Sequence, residues 1–446
     1  MTSGADIEIA RLRVLPWGGI ATANIPLKGD VLSVEKVLRH LPGRRLAVKA
    51  LWRGQVVFAK IFLTPDVSIM ERELGCIQML LASNVATPAL RAQQSFDQGG
   101  VIVCDWCEGR SGEDALRVNA DGNLPQLMAA VFSLYDAGLY QRDLHLNNFI
   151  FFGRQCLVID AGDILPLPQT AAVRQRLILD NLALFCAQGS LDISVLLEQQ
   201  VRNQLSDRGL AVAGFAKQIK QKRQVRLRAA MKKWRRESSV IGKRIEAGEQ
   251  WLWQRDLSEA DIVNLTELLL EPVRAPLIKR GSRISVYGND RWIIKHYRES
   301  GFIAKLKRLL FRGRADISWV IGWTWRLLGV PTPQPLMLRR CVNGEAVIAC
   351  QRLAAEPLSH LMEQGADRAT SASVEVIDRL ARLHGIGFWH GDTKAQNILC
   401  DDHVSWFIDL DAAGWSRCEG RVRRRAEKDM ARFKRNDQQF LTRLSE

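Results

Sequence analysis

The sequence lacks an apolar run long enough to cross a lipid bilayer. Its longest such stretch, Ile317 to Val330, is interrupted by Arg326 and is shorter than the roughly 20 residues that a spanning helix needs. The N-terminal sequence MTSGADIEIARLRVLPWGG also has acids where a signal peptide has a basic start and an apolar run. We therefore expect a cytoplasmic protein, or one held peripherally at the cytoplasmic face of a membrane.

Cysteines are too scattered for a disulfide framework or a zinc site. The chain has nine cysteines, and the only close pair, Cys104 and Cys107, has no second pair and no nearby histidines to complete a tetrahedral ligand set. We therefore expect reduced thiols in the core.

Positive charge predominates in a composition that is otherwise that of a globular protein. Lysine and arginine number 63 against 48 acids, which gives a net charge of +15 and a field that attracts phosphates, anionic lipid head groups or nucleic acid. We expect no nucleic acid, because no stacking platform or recognised module accompanies the charge. A chain of 446 residues exceeds one core, and two domains are expected.

One motif occurs twice in the same register. Residues 141–163 have the sequence QRDLHLNNFIFFGRQCLVIDAGD, and residues 390–411 have the sequence HGDTKAQNILCDDHVSWFIDLD. Aligning the copies without a gap superposes three polar residues, namely Asp143 on Asp392, Asn148 on Asn397 and Asp160 on Asp409. Such repetition indicates two copies of one structural unit.

Apolar runs within each copy predict a hairpin. Phe149–Phe152 and Leu157–Ile159 predict two short buried strands in the first copy, and Ile398–Leu399 and Trp406–Ile408 predict their counterparts. The polar residues lie at the ends of these strands, so a hairpin presents them to one cleft.

A strand that carries one lysine precedes each copy. The run VVFAKIF contains Lys60, and the run WIIKHY contains Lys295. Helical spacing of apolar residues follows in both halves, at residues 71–81 and 317–328, and a proline-containing turn ends each helix.

A basic segment without acids separates the two halves. Residues 215–236 contain ten lysines and arginines, and their apolar residues fall on one helical stripe. The pattern predicts an amphipathic helix, which either docks on an anionic membrane surface or packs its stripe on its own domain. A capping box at Ser258 and Asp261 predicts a further helix that ends near Glu271.

These features set the expected domain boundaries. We expect a first domain at residues 1–245, a helical linker at 246–272 and a second domain at 273–446.

The repeated triad suits phosphoryl transfer, a reaction that needs an aligned hydroxyl and neutralised phosphates. Asp143 and Asp392 are the candidate catalytic bases, since a carboxylate there accepts the proton of the acceptor hydroxyl. The remaining oxygens suit magnesium, a hard cation. The candidate metal ligands are Asn148, Asp160, Asn397 and Asp409.

The strand lysines suit contact with nucleotide phosphates. Lys60 has a helix carboxylate, Glu73, to hold it in place, and Lys295 is its counterpart in the second half.

The phrases RDLHLNNF and HGDTKAQNIL, followed by VIDAGD and FIDLD, resemble the bacterial lipopolysaccharide core sugar kinases of the protein-kinase-like superfamily, which act on heptose or 3-deoxy-octulosonic acid. The resemblance implies an α+β fold with two bilobal kinase-like domains in tandem, each with a small β-rich N-lobe and a helical C-lobe. It also implies ATP and Mg²⁺ as cofactors and a lipid-linked sugar of the lipopolysaccharide core as acceptor, at the cytoplasmic face of the inner membrane.

Three features depart from the family pattern. Gln141 stands where the catalytic loop usually has a histidine, and Ser318 stands where the second half should have its helix glutamate, with Asp316 as a candidate substitute. Neither half has a glycine-rich phosphate loop. The basic runs LPGRRL at 41–46 and KRGSRIS at 279–285 take its place.

Two alternatives to a sugar kinase stay open. A serine/threonine protein kinase is disfavoured because neither half has the Ala-Pro-Glu motif of a peptide platform. The unequal departures also allow one active kinase domain to be regulated by a pseudokinase partner domain.

Overall fold

The computed structural model divides the chain into two compact units, Met1–Lys222 and Arg223–Glu446. Each unit has a β-rich part and a largely helical part, so the expected α+β class is confirmed. The residues described are 3–16, 22–210, 212–298, 313–365 and 367–445, with side chains to residue 435.

A six-stranded antiparallel sheet forms the β-rich part of the first unit, in the order β1-β2-β3-β4-β6-β5. Its strands are β1 (Asn24–Leu27), β2 (Asp30–Leu41), β3 (Arg45–Trp52), β4 (Gln55–Phe62), β5 (Leu90–Phe96) and β6 (Gly99–Asp105). Two helices, α1 (Gly4–Arg13) and α2 (Ser68–Ala82), cover its opposite faces. Burial on both faces explains the nearly continuous apolar sequence of β4 and β6.

Helices dominate the rest of the first unit. They are α3 (Gly112–Val118), α4 (Ala120–Asp136), α5 (Ala171–Gln188), α6 (Leu191–Asp207) and α7 (Phe215–Lys233). Short strands accompany them, namely β7 (Arg110–Ser111), β8 (Leu139–Gln141), β9 (Phe149–Phe152), β10 (Gln155–Val158) and β11 (Ile164–Pro166). Leu127, Val131 and Leu134 of α4 are fully buried at helical spacing and lie in the central cluster of this part.

A seven-stranded antiparallel sheet forms the β-rich part of the second unit, in the order β12-β13-β17-β18-β16-β15-β14. Its strands are β12 (Ile241–Glu246), β13 (Glu249–Gln254), β14 (Leu277–Arg280), β15 (Ile284–Gly288), β16 (Trp292–Tyr297), β17 (Pro335–Arg340) and β18 (Ala346–Gln351).

Residues 246–272 differ from the expected helical linker. Strand β13 pairs with β17 inside the sheet, and helix α8 (Glu259–Leu270) buries Leu265 and Leu269 against it. The alternating residues of β13 place Trp251 and Leu252 on opposite faces, and both are buried. The segment is therefore an integral part of the second unit.

The second unit continues with mainly helical elements. They are α9 (Arg314–Leu327), α10 (Leu358–Glu363), α11 (Asp367–Gly385) and α12 (Glu419–Ser445), with short strands β19 (Glu356–Pro357), β20 (Phe388–Trp389), β21 (Ile398–Cys400), β22 (Ser405–Phe407) and β23 (Gly414–Trp415). In α9, Trp319 and Trp323 pack against strands of the sheet. No helix in the described part of the chain is long and apolar enough to span a membrane.

The local predictions for the two repeats are confirmed. Hairpins β9–β10 and β21–β22 lie where the paired apolar runs predicted them, and the lysine-bearing runs are strands β4 and β16. The predicted helix N-cap is also present, because the Ser258 hydroxyl accepts a hydrogen bond from the Asp261 backbone N–H at 3.1 Å.

The apolar stripe of the basic segment is buried. Phe215 and Ile219 lie in the core of the first unit, and Leu227 and Trp234 are almost fully buried further along. The stripe is therefore occupied by packing, and the exposed residues Lys217, Lys220, Arg228 and Lys232 give α7 an accessible basic side.

A buried ion pair offers a test of the packing in the second unit. Asp316 and Arg340 are each at most 5% exposed, and their charged atoms lie 3.1 Å apart. We expect Asp316→Ala to lower the free energy of unfolding of this unit by about 3–5 kcal/mol, because Arg340 loses its buried counter-charge. Urea titration followed by tryptophan fluorescence measures it, since most of the 13 tryptophans lie in this unit.

The matched control is Glu246→Ala, which removes the partner of Arg244 from a solvent-exposed ion pair. We expect a change below about 1 kcal/mol there. Equal losses of unfolding free energy in Asp316→Ala and Glu246→Ala would contradict a stabilising role for the buried ion pair.

Candidate active site

Lys60 on β4 connects the β-rich and helical parts of the first unit. Its ammonium pairs with Glu73 of α2, as predicted, and lies 2.7 Å from a carboxylate oxygen of Asp160. Lys60 and Glu73 are both almost fully buried, so each charge is compensated by the other.

Asp160 adopts a left-handed backbone conformation, with φ 58° and ψ 61°. Burial raises the pKa of its carboxyl, but Lys60, together with Arg45 and Arg39, lowers the pKa by more, so the net pKa lies below its usual range. The carboxylate is therefore ionised at neutral pH. Asp409 has the same conformation, with φ 61° and ψ 55°.

Arginines of the β2–β3 hairpin border the cleft of the first unit. The run at 41–46 forms the turn of this hairpin, next to the lysine strand, where a phosphate loop was expected. Arg45 lies 3.4 Å from the Glu73 carboxylate. Arg39 and Arg45 both line a cavity of about 550 Å³ whose mostly apolar wall also includes Cys104. Guanidinium groups there suit phosphate oxygens.

A smaller cavity, of about 230 Å³, contains the repeated triad of the first unit. Asp143, Asn148 and Asp160 line it together with Arg44 and Arg72. The structure thus brings all three predicted polar residues to one place, beside positive charge.

Gln141 makes the same kind of backbone contact that His390 makes in the second unit. Its side-chain amide donates hydrogen bonds to the carbonyls of Ile159 and Asp160, at 3.3 and 3.0 Å. In the second unit, the His390 Nδ1 accepts the Asp392 backbone N–H, so Nε2 carries the proton and donates to the Ile408 carbonyl at 3.0 Å. The substitution therefore keeps the loop packed.

Both asparagines are oriented in the same way. The amide nitrogen of Asn148 donates to the Asp143 carbonyl at 2.8 Å, and that of Asn397 donates to the Asp392 carbonyl at 2.9 Å. Because the nitrogen is used in each case, the amide oxygen is available as a metal ligand.

Lys295 in the second unit has a different set of neighbours. It pairs with Asp409 at 2.7 Å. Burial lowers the pKa of Lys295, but Tyr297 and Asp409 raise it by more, so the ammonium stays charged. Ser318 lies 3.5 Å from the Tyr297 hydroxyl, and Asp316 is placed against Arg340. The expectation that Asp316 replaces the helix glutamate was wrong.

Asp429 of α12 anchors the catalytic loop of the second unit, and the sequence analysis missed it. Its carboxylate accepts backbone N–H bonds from His390 and Gly391, at 2.7 and 2.8 Å, and its backbone carbonyl accepts the Thr393 hydroxyl. In the sequence, Asp429 could have been recognised as the one acid on the helical stripe that also contains the buried Phe433. The first unit uses Asn181 of α5, whose amide donates to the Gln141 carbonyl.

The two candidate bases differ in their surroundings. Asp392 lies 2.9 Å from Arg432 and 3.6 Å from Lys394. Asp143 is exposed and lies 3.5 Å from the Gln188 amide.

The oxygen set of each unit fits a magnesium nucleotide. Mg²⁺ is commonly held by one or two carboxylates together with substrate phosphates, and each unit offers one ionised aspartate and one amide oxygen. The described residues contain no group of three or more His, Cys, Asp or Glu side chains able to hold an ion. Phosphate oxygens would complete the coordination.

The loop histidine predicts a pH effect that Gln141, at the corresponding position of the first unit, does not give. Burial lowers the pKa of His390 below its ordinary value, so the unfolded chain binds a proton near pH 6.5 that the folded chain does not. Stability is therefore lost as pH falls below about 6.5. We expect His390→Gln, which copies the residue at position 141, to remove up to about 2 kcal/mol of the loss between pH 7.5 and 5.

Urea titrations at both pH values measure this difference. The reverse exchange, Gln141→His, should add the same pH-dependent loss to the first unit. Parallel pH profiles for the wild type and His390→Gln would refute the role of the buried histidine.

Comparisons with solved structures find partial similarity to two proteins. The chain is similar to a 2.2 Å crystal structure of WbdD at 18% identity, over 35% of this chain and 38% of that one, with a TM-score of 0.28. It is also similar to the structure of vaccinia related kinase 3 at 12% identity, over 36% and 56% of the two chains, with a TM-score of 0.26. The chain thus spans well under half of WbdD. No curated protein sequence matches it.

A family comparison is more specific. Residues 264–444 match the lipopolysaccharide kinase (Kdo/WaaP) family, and this range contains Lys295, Asp392, Asn397 and Asp409. The second half of the chain is therefore similar to the lipopolysaccharide kinase (Kdo/WaaP) family, in agreement with the resemblance carried by its motifs.

Proposed function

We propose that the chain is an ATP- and magnesium-dependent kinase that phosphorylates a sugar hydroxyl of the lipopolysaccharide inner core, with heptose as the acceptor sugar. One observation carries the proposal. Each unit combines a strand lysine, paired to a left-handed aspartate, with an asparagine fixed on the carbonyl of a candidate base. The family of the second half supports a lipopolysaccharide acceptor.

The residues divide the work of phosphoryl transfer. Asp143 or Asp392 accepts the hydrogen of the acceptor hydroxyl and turns its oxygen toward the terminal phosphate. Lys60 or Lys295 holds nucleotide phosphates against the adjoining aspartate. Mg²⁺, when bound with the nucleotide, neutralises phosphate charge, and Asn148 with Asp160 or Asn397 with Asp409 would hold it.

The segment behind each left-handed aspartate supports a small acceptor. Helix α5 begins at Ala171, shortly after Asp160, and α12 begins at Glu419, shortly after Asp409. A protein kinase uses this region as a long activation segment and peptide platform. Little chain is available for one, which favours a saccharide over a peptide.

A lipid-linked acceptor places the reaction at the cytoplasmic face of the inner membrane. The accessible basic side of α7 supports this location, because juxtamembrane lysines and arginines each contribute on the order of 1 kcal/mol near an anionic surface.

A second candidate is one transferring unit regulated by the other. It is favoured by the unequal sites: Glu73 completes the lysine partners in the first unit, whereas Asp429 and Arg432 hold the catalytic loop in the second.

Separate substitutions of the two bases distinguish these candidates. We expect Asp143→Asn and Asp392→Asn each to reduce one phosphoryl transfer by at least about 100-fold, because each removes a proton acceptor while keeping side-chain shape. Transfer of labelled phosphate from ATP to an isolated lipopolysaccharide core measures the loss.

Asp207→Asn and Asp402→Asn, at exposed positions outside the two sites, are the controls. Full activity of one base variant would assign the regulatory role to that unit. Undiminished activity of the double variant would exclude both bases.

The helix glutamate gives a test of nucleotide binding in the first unit. Glu73→Gln leaves Lys60 with Asp160 alone, the arrangement that Lys295 has with Asp409. We expect about tenfold weaker binding of a magnesium nucleotide by this unit, because a charge-assisted contact worth about 1.5–3 kcal/mol is lost. Titration calorimetry in the Asp409→Asn background isolates the first unit, and unchanged affinity would contradict the role of Glu73.

A further inference from the structure

A cavity in the second unit lies apart from the catalytic constellation. It has a volume of about 720 Å³ and is bordered by α9, β23 and the C-terminal end of α7. Met231, Val320 and Ile321 give it an apolar floor. The triad residues of this unit do not line it.

Basic side chains surround the rim of this cavity. Arg228, Lys232 and Arg235 recur at spacings of four and three residues, so they lie on one face around the end of α7. Arg421, from the first turn of α12, adds a fourth positive charge. No ion pair formed within the described residues includes Arg228, Lys232 or Arg421.

The cavity therefore keeps a net positive charge. Its one lining carboxylate, Asp316, is buried and is shared by Arg340 and Arg235, which leaves Arg228, Lys232 and Arg421 as the cavity's uncompensated charges. Arg228, Lys232 and Arg421 are exposed, so solvent and a ligand can reach them. Several guanidinium and ammonium groups converging above an apolar floor suit a phosphate group attached to a carbon framework.

Both flanks of the catalytic loop contribute to the same cavity. Trp389 directly precedes His390, and the Arg421 guanidinium lies 5.4 Å from the centre of its ring. Gly414 and Trp415 follow Asp409 and pair with β20. A ligand held here is thus next to the loop that carries the base.

We propose that this cavity binds a phosphate group already present on the acceptor saccharide, separately from the nucleotide phosphates. The identity of the saccharide rests on the proposed function, whereas the phosphate contact rests on Arg228, Lys232 and Arg421. The apolar floor accommodates the carbon face of a sugar, and the basic rim binds its phosphate.

The test measures binding without nucleotide and without turnover. Deacylated, phosphorylated core oligosaccharide is titrated into the full chain by calorimetry, beside the same oligosaccharide after phosphatase treatment and beside inorganic phosphate. We expect the phosphorylated oligosaccharide to bind at least 10-fold more tightly than either of the other two probes.

The double variant Arg228→Gln/Lys232→Gln should weaken that binding at least 10-fold. Lys217→Gln/Arg236→Gln removes the same charge from exposed positions of the basic segment outside the cavity, and should change affinity less than twofold. Thermal unfolding of both variants verifies folding. In a transfer assay, the first variant should raise KM for the acceptor and leave kcat unchanged.

Three results would overturn the proposal. They are unchanged affinity in Arg228→Gln/Lys232→Gln, equal weakening in the control variant, and inorganic phosphate binding as tightly as the oligosaccharide, which would assign the site to free phosphate. Because these readouts need no phosphoryl transfer, a failure of the proposed kinase reaction stays distinguishable from a failure of this site.

Discussion

The ion pair between a strand lysine and a left-handed aspartate is the contact on which both sites depend. Lys60 with Asp160, and Lys295 with Asp409, join a residue of the sheet to a residue that follows the hairpin of the helical part. Each aspartate is half-buried and stays ionised because the ammonium outweighs the cost of burial. The pair therefore fixes the position of the aspartate relative to the strand lysine in each unit.

The two units stabilise this contact in different ways. In the first, Glu73 and the hairpin arginines surround Lys60 and Asp160 with alternating charge. In the second, the helix position is occupied by Ser318, and the added stabilisation appears at the catalytic loop, through Asp429. The first unit thus has its added contacts around the strand lysine, and the second has them at the catalytic loop.

Sequence reasoning predicted the residues whose spacing repeats and missed those defined by tertiary contacts. The triads, hairpins and lysine strands followed from two aligned motifs and period-two apolar runs. Asp429 lies more than 30 residues beyond Asp392 in a highly charged helix, so no local pattern marked it as a partner of backbone N–H groups. Asp316 could not be assigned either, because Arg340 is its neighbour only in the folded sheet. Residues 246–272 were mistaken for a linker since a hairpin at a sheet edge has no motif of its own.

Helix α7 has a consequence for the modularity of the chain. Its first half supplies Phe215 and Ile219 to the core of one unit, and Trp234, directly after its end, lies in a core cluster of the other. A cut at the boundary near residue 222 leaves two helical pieces too short to be stable alone in water. Separated there, each half-helix would depend for its stability on the burial of its own apolar residues, Phe215 and Ile219 in the first unit and Leu227 and Trp234 in the second.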